Sequence, residues 1–254
     1  MTRAWTLARA GARAGASVGI LVGALTGAFL GLPAWAADPP ERLQVPDTLA
    51  QRLQPCMACH GAEGRAAREG YLPRIAGKPA GYLYQQLLHF RDGRRQHATM
   101  ARLLAQQTDA YLRVMAGHFA ALDLPHAPVP AATAPPAVLA RGRVLALQGD
   151  PAQRLPACSA CHGSGLHGVL PAMPGLLGLP RDYLIAQLGA WQTGQRRAQA
   201  PDCMAQIAQR LSPADLGAVA TWLAAQPVPA QPHADTAVPG PAPLPCGSVD
   251  HPPR

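Results

Sequence analysis

The sequence predicts an all-α protein built from two similar helical domains in tandem, and three observations carry that expectation. The pentapeptide Cys-x-x-Cys-His occurs twice, as Cys56-Met57-Ala58-Cys59-His60 and Cys158-Ser159-Ala160-Cys161-His162, 102 positions apart. The chain repeats itself downstream of each copy. Tyr82-Leu83 and Gln86-Leu87 match Tyr183-Leu184 and Gln187-Leu188 at an offset of 101, Phe90 matches Trp191, and Gly93 matches Gly194. Apolar residues between these landmarks follow helical spacing, and no alternating β-branched run precedes either motif.

Taken in order, the first 36 residues have the pattern of a secretory signal. Arg3, Arg9 and Arg13 form a basic start, Ala16 to Leu32 is apolar, and Ala34-Trp35-Ala36 is a small-residue cleavage site. The mature chain is expected to begin at Ala37 outside the cytoplasm. The competing reading is an uncleaved anchor, because an apolar stretch of about 17 residues lies at the lower limit for a membrane span. Cleavage removes three arginines and no acid, so the net charge falls from +8 to +5. A mild basic excess suits docking on acidic surfaces. Without a Lys/Arg cluster interleaved with aromatics, no nucleic acid partner is expected.

Proline-rich stretches set the remaining boundaries. An N-terminal domain is expected over 37–124, a linker over 125–136, a C-terminal domain over 137–226 and a tail without periodicity over 227–254. Each domain should run through a helix into the Cys-His motif, a Gly/Pro loop, a helix, an irregular segment ending in methionine, and a last helix. Leu83, Leu87, Leu88 and Phe90 give one helix face, and Leu112, Met115, Ala116 and Phe119 give another at i, i+3, i+4 and i+7. Ser212-Pro213-Ala214-Asp215 is a helix start, with serine as cap, proline at the first position and aspartate as capping-box partner. That last helix should span Pro213 to Ala225.

Cys-x-x-Cys-His is the attachment motif of a c-type haem. Two thiols three residues apart on one helical turn form thioethers with the two vinyl groups, and the adjacent histidine lies under the iron. Zinc would want four ligands from paired loops, and a thioredoxin-like centre would want a strand before the motif. Neither context is present. The expectation is two haem c groups, covalently bound by Cys56, Cys59, Cys158 and Cys161, with His60 and His162 as proximal ligands. Aromatics make up only 5% of the chain, and a haem in each domain supplies the large apolar body that they do not.

Function turns on the sixth iron ligand, because a closed coordination sphere makes a carrier and an open one a catalyst. Met1 lies in the signal and Met57 inside the first motif. Met115 aligns with Val219 and Met173 with Ile75, as core residues would. Only Met100 and Met204 recur in both halves, 40 and 42 residues after their histidines. Core packing is the competing reading, but Gln96 to Met100 and Ala200 to Met204 are not amphipathic. Met100 and Met204 are therefore the expected distal ligands. His97 competes at the first haem, but the second half has no histidine there. His89, His118, His126, His167, His233 and His251 have no repeat partner and read as surface or packing residues. Histidine/methionine ligation raises the reduction potential and leaves no open position, so no catalytic residue is expected and the chain reads as a carrier, not an enzyme.

These residues resemble a known family, the dihaem cytochromes c of the cytochrome c4 type. The matching stretches are Cys56 to Gly61, Leu72-Pro73-Arg74-Ile75-Ala76-Gly77, Tyr82 to Leu87, Phe90-Arg91-Asp92-Gly93-Arg94 and Met100. In the second half they are Gly149-Asp150, Pro156 to Gly163, Tyr183 to Leu188, Gly194 and Met204. The resemblance covers about residues 50 to 226. It implies two tandem class I cytochrome c domains, each wrapped round one haem. It also implies a periplasmic, often loosely membrane-associated carrier serving a terminal oxidase, a cytochrome bc-type complex or a periplasmic dehydrogenase. Lys78 stands where the family commonly has glutamine, and the tail has no counterpart. Arg74, Arg91, Arg94, Arg95, Tyr82 and Tyr183 are the candidates for reaching haem propionates.

Cys203 and Cys246 remain. In an oxidising compartment they are expected to pair, pinning the tail to the second methionine loop and stabilising by roughly 3 to 4 kcal/mol. The alternative is Cys203 as a thiolate ligand of the second iron, where the first half has Thr99. The leading function is single-electron transfer between periplasmic redox proteins. Two alternatives stand beside it. One is a cytochrome subunit of a dehydrogenase complex that docks through linker and tail, and the other is a dihaem enzyme, a peroxidase or thiosulfate oxidiser, with one labile ligand.

Overall fold

In the first half, Thr48 caps α1 (Leu49–Arg52) by accepting from Gln51 N at 3.3 Å, and a corner at Leu53, only 1% exposed, leads into α2 (Gln54–His60). The computed structural model describes residues 46–66, 71–129, 133–230 and 232–249, so the expected signal sequence lies outside the described residues. The chain continues through α3 (Ala80–Arg91), α4 (Ala98–Leu104) and α5 (Asp109–Ala120). Thr108 caps α5 through Tyr111 N at 3.2 Å. The stripe Leu112, Met115, Ala116 and Phe119 is fully buried against Leu83 and Tyr84 of α3, as its spacing predicts.

The second half begins with α6 (Pro136–Leu147), whose first residue is the last of the expected linker. Then follow α7 (Ser159–His162), α8 (Arg181–Gln192), α9 (Cys203–Arg210) and α10 (Pro213–Ala224). Ser212 caps α10 through Asp215 N at 3.1 Å with Pro213 at the first position, and the helix ends one residue before the expected Ala225. Helices α6 and α10 approach closely at Gly142, where a Cβ would meet Trp222 Cβ at 2.6 Å. Arg141 fastens the same contact, donating to Asp215 at 2.6 Å and Asp150 at 2.9 Å. A second core, centred on Leu145, Leu184, Val219 and Leu223, fills this half.

Among the described residues the architecture is all-α apart from one small hairpin, β1 (Gly168–Val169) against β2 (Met173–Pro174), antiparallel with Val169 opposite Met173. Two residues per strand are too few to show an alternating pattern, so the sequence gives no sign of it. A second difference concerns the methionines. Met100 and Met204 sit in the first turns of α4 and α9, not at the ends of irregular segments.

The loops after α3 and α8 meet at a junction between the halves. They run antiparallel, with Gln96 N donating to Gln195 O at 2.8 Å and Arg197 N to Arg94 O at 2.7 Å. Among the described residues no helix is long and apolar enough to cross a membrane.

Candidate functional site

Both Cys-His motifs end in the same local geometry. Helix α2 stops at His60 because Gly61 takes a φ of 76°, and α7 stops at His162 because Gly163 takes 86°. Side chains rarely adopt this region, and there is no room for one. A Cβ on Gly61 would overlap the Ala66 carbonyl oxygen, and one on Gly163 would lie 2.7 Å from Asp235 Oδ2. Each histidine is then aimed by a carbonyl. His60 Nδ1 lies 2.8 Å from Pro73 O, and His162 Nδ1 lies 2.7 Å from Pro174 O. A carbonyl only accepts, so Nδ1 carries the proton and Nε2 keeps its lone pair for a ligand role. Burial lowers both imidazole pKa values, outweighing the carbonyl bond that raises them, and keeps the rings neutral.

None of the four motif cysteines is in a disulfide. Burial pushes Cys158 up to about 11 and also raises Cys56 and Cys161. Among the described residues no three His, Cys, Asp or Glu side chains converge as a zinc set would. An apolar cavity instead opens beside the second motif. Cys158, Cys161, His162 and Met204 line it together with Leu184 and Val219. In the first half Met100 and Cys56 both pack against the core formed by α3 and α5.

The polar edge of the second cavity lies at the junction, where Lys78, Tyr82 and Gln86 of the first half stand beside Trp191 and Arg196 of the second. Arg95 and Arg196, 9% and 5% exposed, cross there. Arg95 donates to Gln86 Oε1 at 2.9 Å, Gln187 Oε1 at 2.6 Å and Tyr183 OH at 3.1 Å. Arg196 donates to the same two glutamines at 2.9 Å each and to Tyr82 OH at 3.4 Å. Arg95 stacks on Phe90 and Arg196 on Trp191. Burial pushes the Tyr82 phenol up, but Arg196, Arg95 and Lys78 outweigh it and bring the pKa down to about 8.

Two buried cations held only by neutral groups call for an anion. The buried Trp191 Nε1, which has no acceptor, adds an orphan donor. A flat apolar body with acidic groups on one edge meets both needs, and a haem with its two propionates has that form. The residues present therefore fit the group that the motifs imply.

Several expected roles are corrected. Arg74 is engaged by the carbonyls of Ala76, Leu124 and Pro125, so it staples its loop to the segment after α5. Arg91 is engaged by Asp92, Asp109 and the Gln107 carbonyl. Arg94 brings its backbone carbonyl to the junction, whereas Arg95, Tyr82 and Tyr183 meet there with their side chains. Met173 lies in β2 and lines the second cavity, whereas Met115 is in the first core. His97 caps α4, its Nδ1 accepting from Met100 N at 3.3 Å. Cys203 is bonded to Cys246, so it has no thiolate to offer an iron. The sequence marks Trp191 and both glutamines only as landmarks of the repeat and gives Arg196 no role. The repeat carried the signal for Arg196, which follows Arg95 by the same 101 positions that separate Tyr183 from Tyr82.

Comparison with known proteins shows the family. No protein-family model matches the chain. It is 38% identical over 201 residues to a thiosulfate dehydrogenase electron acceptor of Thiomonas intermedia, covering 79% of this chain and 87% of that one. It is 31% identical over 170 residues to cytochrome c4 of Pseudomonas aeruginosa, covering 66% and 82%. The chain belongs to the dihaem cytochrome c4 family. A solved thiosulfate dehydrogenase from Marichromatium purpuratum aligns with a TM-score of 0.60 at 35% identity over 68% of this chain, which spans 36% of that longer polypeptide. Like its cytochrome c4 relatives, the protein has the helical class I cytochrome c fold and is a dihaem electron-transfer cytochrome that works with redox protein partners.

Proposed function

We propose that the chain is a periplasmic carrier that takes single electrons from a thiosulfate-oxidising dehydrogenase and delivers them to a terminal oxidase. The domains over 37–124 and 137–226 each hold one covalently attached haem c. Cys56, Cys59, His60 and Met100 would hold the first, and Cys158, Cys161, His162 and Met204 would hold the second. The haem supplies reversible one-electron chemistry, at a potential that a thioether ligand raises. The observation that carries the reading is the second cavity, where the motif cysteines, a neutral carbonyl-aimed histidine and Met204 share one apolar space.

The chain's own residues do the rest. Pro73 and Pro174 fix the ring orientation of the histidines, and leucines exclude water. Arg95 and Arg196, each held by side chains of both halves, hold the acidic edges and neutralise them. A histidine and a methionine at each haem would leave no place for a substrate, and on that reading the chain is a carrier and not the enzyme that oxidises thiosulfate. The donor assignment draws on the Thiomonas relative, named as an electron acceptor of that dehydrogenase.

The test is the far-red methionine-to-iron charge-transfer band of the ferric protein. Full intensity for two haems is expected, with Met100→Ala and Met204→Ala each removing half. A high-spin spectrum in the unaltered protein overturns the ligand set. Stopped-flow mixing with a thiosulfate dehydrogenase and thiosulfate should reduce both haems, and no reduction overturns the donor assignment.

A further inference from the structure

Residues 232–249 form no helix, yet they are fastened around the second cavity on both of its sides. On the histidine side, Asp235 N donates to Gly168 O at 2.9 Å, and Leu170 N donates to Asp235 O at 2.8 Å. The Asp235 carboxylate lies over Gly163, the residue after His162. On the methionine side, Cys246 is joined by disulfide to Cys203, the residue before Met204. Gly247 N donates to Pro201 O at 3.0 Å, and Gln199 N to Ser248 Oγ at 3.3 Å, so the tail also pairs with the loop that leads into α9. Leu244, Cys246, Ser248 and Val249 of this segment line the cavity itself.

The first half has no such bond, because Thr99 stands in the place of Cys203. The exposure of the two motifs differs in the same direction. Cys59 is exposed and His60 half-buried, whereas Cys161 is half-buried and His162 only 6% exposed.

We propose that residues 232–249, locked by Cys203–Cys246, form a latch that positions Met204 and closes the second haem site against exogenous iron ligands. Cys203, Cys246 and Asp235 are positioning residues that act through Met204. The latch rests on the ligand assignment of the preceding subsection. A ligand from solution must wait for the methionine to leave, and a crosslink beside the methionine makes that local opening rare. The first site lacks the crosslink and opens more often.

The experiment follows imidazole binding to the ferric holoprotein, with the paramagnetically shifted methyl signals of Met100 and Met204 reporting each haem separately. In the unaltered protein the Met100 signal should be lost faster than the Met204 signal. In the double variant Cys203→Ser/Cys246→Ser the second haem should bind imidazole about tenfold faster, the sign of a lost local restraint, with the first unchanged. Should that variant fail to mature, intact holoprotein can be reduced with dithiothreitol, alkylated, desalted and reoxidised, which opens the same bond after folding. Asp235→Pro, which removes the N–H donated to Gly168 O, tests the opposite anchor and should give a smaller acceleration in the same direction. Equal rates at the two haems of the unaltered protein, or a second-haem rate indifferent to loss of the disulfide, overturn the latch. Absence of a Met204 signal before imidazole is added overturns the ligand assignment instead, so the two failures are distinct.

Discussion

Met100 and Met204 occupy equivalent places, but their surroundings differ. Met100 enters a helix capped by a histidine ring and preceded by Thr99. Met204 enters a helix capped by Asp202 and preceded by a cysteine bonded to the tail. The same contrast recurs elsewhere. The helix before the first motif has four residues, whereas α6 has twelve and is clamped to α10 through Arg141. The parts of each motif, two cysteines, a carbonyl-aimed histidine and a glycine stop, are shared. The comparison teaches that the motif and its immediate supports are common to both halves, whereas the outer supports differ and are more numerous in the second half.

The largest expected effect tests whether each core serves its own half. Leu112 and Leu223, at most 3% exposed, lie in different cores. Truncation of either to alanine should cost about 2–5 kcal/mol. Denaturant unfolding followed by haem absorbance at both sites should show Leu112→Ala loosening the first site before the second, and Leu223→Ala the reverse. A single transition shifted identically by both changes would merge the halves into one cooperative unit.

Acid should separate the halves next. His89 is buried in the first half, where burial first and then Arg94, Arg196 and Arg95 lower its pKa to about 4; Ala190 takes its place in the second. Between pH about 6.5 and 4 the unfolded chain binds this proton and the folded chain does not, so stability falls as pH falls through that window, by up to about 3 kcal/mol. His89→Leu should flatten the pH dependence of first-half melting and leave the second half unchanged.

The second half has its own, lower acid window. The side-chain bond from Arg141 holds Asp215 down at about 2. Its stabilisation is present above the unfolded carboxylate pKa of about 4 and is lost as pH falls towards 2. Arg141 is partly exposed, so Asp215→Asn should cost on the order of 1 kcal/mol at neutral pH, after allowance for solvent screening. Calorimetry against pH reads it directly. The smallest contrast compares the caps of the two last helices. Thr108→Ala and Ser212→Ala should each cost about 1 kcal/mol, and similar losses in thermal melts would mark these caps as part of the shared scaffold.

What the sequence made legible follows physical range. The stripe Leu112 to Phe119 and the Ser212-Pro213 start are local patterns, and the structure reproduces them within a residue. The helical placement of Met100 was hidden because the window Gln96 to Met100 straddles a cap, and the apolar Leu103 and Leu104 follow it. The hairpin at Gly168 is too short to have a period. The tail's contacts are largely backbone bonds and one crosslink, which leave no hydrophobic rhythm in sequence. Arg196 was readable from the repeat, yet its importance lies in a partner 101 residues away, and only the fold brings the two guanidiniums together.

That crossing has a consequence for the movement of charge. Arg95 and Arg196 are wedged between aromatic rings, tyrosines and glutamines, so their dipoles and charges are already oriented before any electron arrives. A junction of this kind need not wait for water to turn around when charge shifts from one side to the other, because the polar response is built into fixed side chains. The reorganisation energy for hopping between the halves is thereby kept small, and the rate of that hop should vary little with viscosity or with the solvent outside.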